Sequence, residues 1–258
     1  MPSPLADIEL LKQLVVEAGD RALARASSAR AEYKADQSLV TDIDRETEEF
    51  LCEALLREYP SYSFLGEEFG WRGDSDGPLW ACDPIDGTTN FVVGLPHWGV
   101  SVGLLDQGVS ILGAVFLPRF NELYWGVRGE GSFCNSVRLK AEDRESLHVE
   151  DTICLTSNSS KTLNTEAING RIRCFGSIAA ELLYTAKGNL RATVGLHEGI
   201  VDIAAALVIC EEAGCEFKYL NGPALDVAEL IEIRRTQKHF VVAPPRLVAH
   251  LDSILHIR

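Results

Sequence analysis

Trp80-Ala81-Cys82-Asp83-Pro84-Ile85-Asp86-Gly87-Thr88-Thr89-Asn90-Phe91 joins an apolar run to two carboxylates, which flank a proline and are followed by a glycine and two hydroxyls. Leu79 to Cys82 reads as a buried strand. Proline has no N–H to donate to a ladder, so the strand is expected to stop where the charges begin. Asp83 and Asp86 then stand at a strand end, facing a Gly-Thr-Thr turn with free backbone N–H groups. Oxygen ligands beside phosphate-sized donors suit a hard divalent cation that bridges to a phosphate. Alone, Asp-Pro and Asp-Gly are ordinary turn dipeptides. The whole run, with its partners elsewhere, points to a metal site.

Working outward, Leu5 to about Ala26 has the period of an amphipathic helix, with Ile8, Leu11, Val15, Ala18 and Ala22 on one stripe. Ser27 to Ser38 reads as a polar connection containing Lys34. A second helix runs from Thr41 to Glu58, opened by a capping box of Thr41 and Asp44 and ended by Pro60. Tyr62 to Leu65 is a short strand leading into Gly66-Glu67-Glu68, and Asp74 to Pro78 is a loop. After Gly94 and Pro96, strands from Trp98, from Val109 and over Glu122 to Val127 form an antiparallel meander. Beyond it the chain alternates. Strands start at Thr152, Ile172, Leu190, Phe217 and Phe240, with helices over Ser177 to Lys187, Asp202 to Ala213 and Arg246 to Leu255. The class is α+β. A boundary near residue 145 divides the chain into 1–145 and 146–258, two halves of one compact unit with no flexible linker between them.

Composition narrows the function. The chain has 258 residues and 46% hydrophobic residues, ample for a large core, and a net charge of 24 − 38 = −14. Such a surface repels nucleic acid and anionic membrane. An anionic substrate therefore needs local positive charge, which bound metal supplies. Seven scattered cysteines with no CxxC pair argue against a zinc or redox motif, and suit buried reduced thiols in the cytoplasm. No signal peptide and no membrane span are expected.

Other acids stand at element ends. Glu67 and Glu68 follow a strand and a glycine, an arrangement that suits one carboxylate pointing in and one out. Asp44 can cap its helix or accept a hydrogen bond from a threonine hydroxyl. Asp202 opens the helix Asp202-Ile203-Ala204-Ala205-Ala206, whose small side chains would let other groups approach its N-terminus. His97, without a visible partner, reads as structural.

These blocks resemble the inositol monophosphatase family: Asp83-Pro-Ile-Asp-Gly-Thr-Thr-Asn-Phe91 most specifically, with Gly66-Glu67-Glu68, Val201-Asp202-Ile-Ala-Ala205, Glu211-Glu-Ala-Gly214, Leu39-Val-Thr-Asp-Ile-Asp-Arg45 and Gly176-Ser177 in the same order. The resemblance runs from about residue 5 to the C-terminus. It implies a layered αβαβα sandwich of the inositol monophosphatase and fructose-1,6-bisphosphatase type, homodimeric, lithium-sensitive, and hydrolysing a small phosphate monoester with two or three Mg²⁺ per site. By it, Glu67, Asp83, Asp86 and Asp202 are metal ligands, with the Ile85 carbonyl. Thr88, backed by Asp44, and Glu67 serve the attacking water, with no covalent phosphoenzyme. Gly87 and Thr88 meet the phosphate, and Gly176 and Ser177 the alcohol. Lys34 lies near the position of a mobile family lysine.

The chain departs from the animal-type pattern at Gly195, where a glutamate is usual, at Val201 for tryptophan and at Ala206 for glycine. Glu198 lies close by as a candidate substrate contact. The phosphatase assignment survives these departures, and the identity of the alcohol does not follow from them; the resemblance as a whole makes an inositol-1-phosphate-like ester the first expectation. Fructose bisphosphate, histidinol phosphate, NADP and 3′-phosphoadenosine phosphate stand as alternatives on the same metal core. An interaction protein with a vestigial site is the alternative of another class.

Overall fold

The computed structural model describes residues 4–73 and 77–258, so most of the loop expected from Asp74 to Pro78 lies outside the described residues. The helices are α1 (Pro4–Arg25), α2 (Asp42–Glu58), α3 (Thr88–Val93), α4 (Ser157–Thr162), α5 (Ile178–Ala186), α6 (Ile200–Glu212), α7 (Val227–Ile233) and α8 (Pro245–Ile254). In the first half the strands are β1 (Ala31–Tyr33), β2 (Leu39–Thr41), β3 (Ser63–Gly66), β4 (Gly70–Arg72), β5 (Leu79–Asp86), β6 (Gly99–Asp106), β7 (Val109–Leu117), β8 (Glu122–Val127), β9 (Gly131–Cys134) and β10 (Val137–Arg138). The second half adds β11 (Thr152–Leu155), β12 (Leu163–Asn164), β13 (Arg171–Arg173), β14 (Ala192–Gly195), β15 (Glu216–Tyr219), β16 (Phe240–Ala243) and β17 (His256–Ile257).

An eight-stranded sheet runs β10-β9-β8-β7-β6-β5-β3-β4, antiparallel except where β3 meets β5. A five-stranded sheet runs β13-β11-β14-β16-β15 and is parallel only around β11. α1 and α2 bury their apolar stripes on one face of the large sheet. α5 and α6 fill the space between the sheets, and α8 covers the outer face of the small one. The layers are αβαβα, as expected.

α6 is almost wholly buried and lies unusually close to the large sheet. A Cβ on Gly103 of β6 would fall 2.6 Å from the Ala204 backbone, and one on Gly113 of β7 would fall 2.6 Å from Ala205 Cα. The alanines of α6 thus serve helix-on-sheet contact rather than access to the helix end.

Two expectations are corrected. The strand does not stop at Cys82: β5 continues to Asp86 and all eight of its residues are buried. Pairing passes from Asp83↔Ser101 to Asp86↔Gly99, so Pro84 and Ile85 together oppose Val100 in a bulge. A bulge is where a sheet tolerates proline. The second correction concerns Ser27 to Ser38, which is not a plain connection. β1 and β2 pair there as a hairpin, and Lys34 N–H donates to the Ser38 carbonyl (2.8 Å) across its turn.

Candidate active site

The site forms where β3, β5 and β11 end and where α3, α5 and α6 begin. Its cavity of about 270 Å³ is lined by Glu67, Asp83, Ile85, Asp86, Gly87, Thr88, Gly176, Ser177, Glu198 and Asp202. Ser38, Thr156, Ser157, Asn158, Ile178, Glu181 and Arg235 complete the wall. Every residue expected at the site lines this one cavity except Asp44, which stands directly behind Thr88, and Lys34, which pairs with Glu67.

The bulge aims the two aspartates. It frees Ile85 N–H to donate to Asp83 Oδ1 (3.0 Å). Asp86 Oδ2 accepts the Ser177 hydroxyl and Ala179 N–H (3.0 Å) at the start of α5. Gly87 then takes φ +91°, and a Cβ there would meet the His97 carbonyl at 2.9 Å and Ser177 Cβ at 3.1 Å. α3 starts at Thr88, so the first amides of this helix find no partner within it. Further along α3, Asn90 ties the helix to the loop that leads into α5, its side-chain amide donating to the His97 (2.6 Å) and Phe175 (2.7 Å) carbonyls.

Thr88 Oγ1 lies 3.2 Å from Asp44 Oδ1 and 3.1 Å from the Ile85 carbonyl. Asp44 is fully buried and fills both roles open to it. Its Oδ2 accepts Thr41 N–H (2.9 Å) and the Thr41 hydroxyl, completing the capping box, while Oδ1 faces Thr88.

Glu67 follows β3, its N–H donating to the Cys82 carbonyl (3.2 Å). Lys34 Nζ bridges Glu67 Oε1 (2.9 Å) and Glu68 Oε1 (2.6 Å). Of the pair, Glu67 lines the cavity and Glu68 does not; neither side chain faces open solvent, at 21% and 6% exposed. Glu48 holds this turn by accepting from Glu68 N–H (2.7 Å) and Phe69 N–H (2.8 Å). It reaches them over Gly66, where a Cβ would lie 1.9 Å from Glu48 Oε1.

Asp202 is the third residue of α6 and not its first; its Oδ2 accepts Gly199 N–H (2.7 Å).

The electrostatics are those of crowded acids. Burial raises Asp83 well above the carboxylate range, and Glu67, Asp86 and Asp202 push it further. Burial likewise raises Asp86, against the Ser177 hydrogen bond and with the Asp202 charge. Asp202 is pushed up to about 6 by burial and then by Glu67. Glu198 is pushed up to about 8 by burial, then by Asp202 and Glu181. Burial lowers the Lys34 ammonium, but the two glutamates outweigh it and leave it raised.

The donor set is carboxylate and carbonyl oxygen throughout, which fits Mg²⁺ and not a soft metal. Glu67, Asp83, Asp86, Asp202 and the Ile85 carbonyl could hold it. They are not closed around a point: among the described residues no three His, Cys, Asp or Glu side chains form a group ready to hold a metal ion. Lys34 engages Glu67, and Ser177 engages Asp86. The expectation of convergence is thus met by a shared cavity and not by a finished coordination shell.

His97 stacks on Phe175 (centroids 4.7 Å apart) and does not line the cavity. Gly195 is closed to side chains, since a Cβ would lie 2.3 Å from the Phe240 ring. Sequence reasoning missed Thr156, Ser157, Asn158, Glu181 and Arg235. They belong to no motif: Thr156, Ser157 and Asn158 lie where β11 passes into α4, Glu181 is on α5, and Arg235 follows α7 and pairs with Gly199. All seven cysteines are free thiols; Cys174 alone is exposed.

Fold and site together are those of a phosphate-monoester hydrolase. The model of the inositol monophosphatase family matches residues 6–252, and the chain belongs to that family. It is 33% identical over 221 residues to a fructose-1,6-bisphosphatase/inositol-1-monophosphatase of Aquifex aeolicus, covering 82% of this chain and 83% of that one. It is 33% identical over 242 residues to the Nus factor SuhB of Pasteurella multocida, covering 88% and 86%. The structure of an IMPase from Thermotoga maritima superposes with a TM-score of 0.83 at 26% identity, covering 96% of each chain.

Proposed function

We propose that this phosphomonoesterase is Mg²⁺-dependent and lithium-sensitive, and that its substrate is a small phosphorylated polyol of the inositol-1-phosphate kind. The carrying observation is the single cavity that holds Glu67, Asp83, Asp86 and Asp202 against the Thr88–Asp44 pair. Bound Mg²⁺ would supply charge neutralisation of the phosphate and a more acidic water. The chain's own residues do the rest. Buried Asp44 accepts the Thr88 hydroxyl as a hydrogen bond and fixes that oxygen at the cavity wall. Thr88 and Glu67 orient the attacking water. Gly87, with no side chain, leaves the amides at the start of α3 open to phosphate oxygens. Gly176, Ser177 and Glu198 face the alcohol, and Thr156, Ser157 and Asn158 add hydroxyl and amide groups suited to a polyol.

Among the described residues no helix is long and apolar enough to cross a membrane. We infer a cytoplasmic setting from the free thiols. A homodimer is supported by Val93 and Leu95, 62% and 51% exposed just after the catalytic turn. Nucleic acid is not inferred as a partner, given the acidic surface.

Phosphate release from a panel of inositol-1-phosphate, fructose-1,6-bisphosphate, histidinol phosphate, NADP and 3′-phosphoadenosine phosphate in Mg²⁺ tests the reading. Fastest turnover on inositol-1-phosphate supports it, and a preferred nucleotide or amine ester sinks it. The relative named as a Nus factor favours a second reading, in which the chain acts through a protein partner. Silence of the whole panel together with a stable complex in pull-downs would select that one.

A further inference from the structure

Ser101 Oγ is wholly buried, and among the described residues it has no hydrogen-bond partner. A buried hydroxyl left unpaired destabilises a fold, so its place in the sheet needs a reason. The register of β5 and β6 sets Ser101 opposite Asp83, the last regular pair before the bulge. Directly opposed residues of an antiparallel pair project from the same face, with Cβ atoms about 4.5–5.5 Å apart. Alternation along the two strands decides which face that is. Cys82, Val100 and Val102 pack with the residues of α1 and α2. Ala81 packs with those of α5 and α6, and a Cβ on Gly103 would meet the α6 backbone. Asp83 and Ser101 therefore both point towards α5 and α6. Asp83 lines the catalytic cavity, and Ser101 stands behind it without reaching the wall.

The other acids suited to Mg²⁺ each have a donor that steadies them. Asp86 Oδ2 accepts the Ser177 hydroxyl and Ala179 N–H (3.0 Å). Asp202 Oδ2 accepts Gly199 N–H (2.7 Å), and Glu67 Oε1 accepts the Lys34 ammonium (2.9 Å). Asp83 has only the Ile85 N–H (3.0 Å), on Oδ1, and among the described residues its Oδ2 has no donor. A carboxylate offers about four lone-pair sites, so Asp83 keeps room for a second donor. The one unpaired hydroxyl beside it is that of Ser101.

We propose that Ser101 is a positioning residue for Asp83: when Asp83 holds Mg²⁺, the Ser101 hydroxyl donates to its carboxylate and fixes its orientation. At the spacing of an opposed pair the two side chains can meet by rotation about their own bonds. The metal-free protein carries the unpaired hydroxyl as a penalty, and metal binding relieves it. Hydrogen bonds behind a metal ligand commonly account for about tenfold or more of the metal affinity. This role rests on the metal-site reading, and its test separates the two.

Wild type, Ser101→Ala and Ser132→Ala are melted metal-free and titrated calorimetrically with Mg²⁺. Ser132 is the control, because its hydroxyl is also buried and unpartnered while β9 lies four strands from β5. Metal-free, both variants should melt above wild type, since each loses an unpaired buried hydroxyl. Ser101→Ala alone should bind Mg²⁺ about tenfold more weakly. It should also need correspondingly more Mg²⁺ for half-maximal phosphate release. A mere packing role for Ser101 would instead lower the metal-free melting temperature. Mg²⁺ affinity equal to that of wild type, or a metal-free Ser101→Ala that melts below wild type, overturns the assignment. So does an equal loss of affinity in Ser132→Ala, which would show that the effect is not local to Asp83. A wild type that takes up no Mg²⁺ sinks the metal-site reading itself, and the role of Ser101 with it.

Discussion

Thr88 is the residue at which the proposed chemistry is most exposed to test. Its hydroxyl is placed between Asp44 and the Ile85 carbonyl, and the side chain is partly exposed, so little of the fold depends on it. Thr88→Ala should lower kcat by about a hundredfold or more, within the range for loss of a proton-handling partner. Thr88→Ser should restore most of it, and the melting temperature should barely move. Equal kcat in wild type and Thr88→Ala would remove Thr88 from the reaction. At this scale the sequence is most readable where a residue belongs to a motif. Asp83, Asp86, Thr88 and Asp202 can be picked out because their neighbours fix their backbone. Glu48 and Glu181 cannot. Glu48 is one acid among several on α2, and only Gly66, further along the chain, leaves room for it. Glu181 holds the loop before α5 by accepting Phe175 (2.7 Å) and Gly176 (3.0 Å) N–H, a contact no spacing announces.

Among the elements, β5 and α6 set the geometry of the site. The expected end of β5 at Cys82 follows from proline chemistry, which is sound. It fails here because a bulge gives Pro84 a position where no ladder bond is needed. The hairpin of β1 and β2 is equally hard to read, since its strands are short and β1 is exposed. Helices α1, α2, α5 and α8 are legible to within a residue or two, because each has a sustained apolar period or a cap. The close approach of α6 to β6 and β7 makes a prediction of its own. Gly103→Ala puts a Cβ about where the Ala204 backbone lies. It should destabilise the protein by about 1–3 kcal/mol, the usual range for overpacking. Thermal melts of wild type and variant that coincide would show the contact to be looser than described.

For the whole molecule, the layered fold follows from the order of elements, whereas the cavity depends on how the two sheets meet around α5 and α6. We propose that residues 1–145 and 146–258 unfold together, in one transition. The acids of the cavity oppose that stability as pH rises. Glu198 has its folded pKa raised to about 8 from an ordinary 4.5, so the folded state binds the proton more tightly than the unfolded state does. The sign of linkage is then a loss of stability as pH climbs from about 4.5 through 8, complete above it. Glu198→Gln removes this contribution. Metal-free wild type and Glu198→Gln should melt alike near about pH 4 and diverge by about pH 9, where the variant is the more stable. A gap that is constant or reversed would contradict the burial of this carboxyl. Added Mg²⁺ should raise the melting temperature of wild type at neutral pH, since an ion that binds only the folded state stabilises it.

The central claim is that Asp86 belongs to a metal-assisted hydrolytic site, and phosphate release by purified Asp86→Asn tests it most directly. The account predicts a fall in turnover of several orders of magnitude in saturating Mg²⁺, with the melting temperature and secondary structure of a folded protein. Phosphate-ester hydrolysis by the variant at the wild-type rate would contradict it.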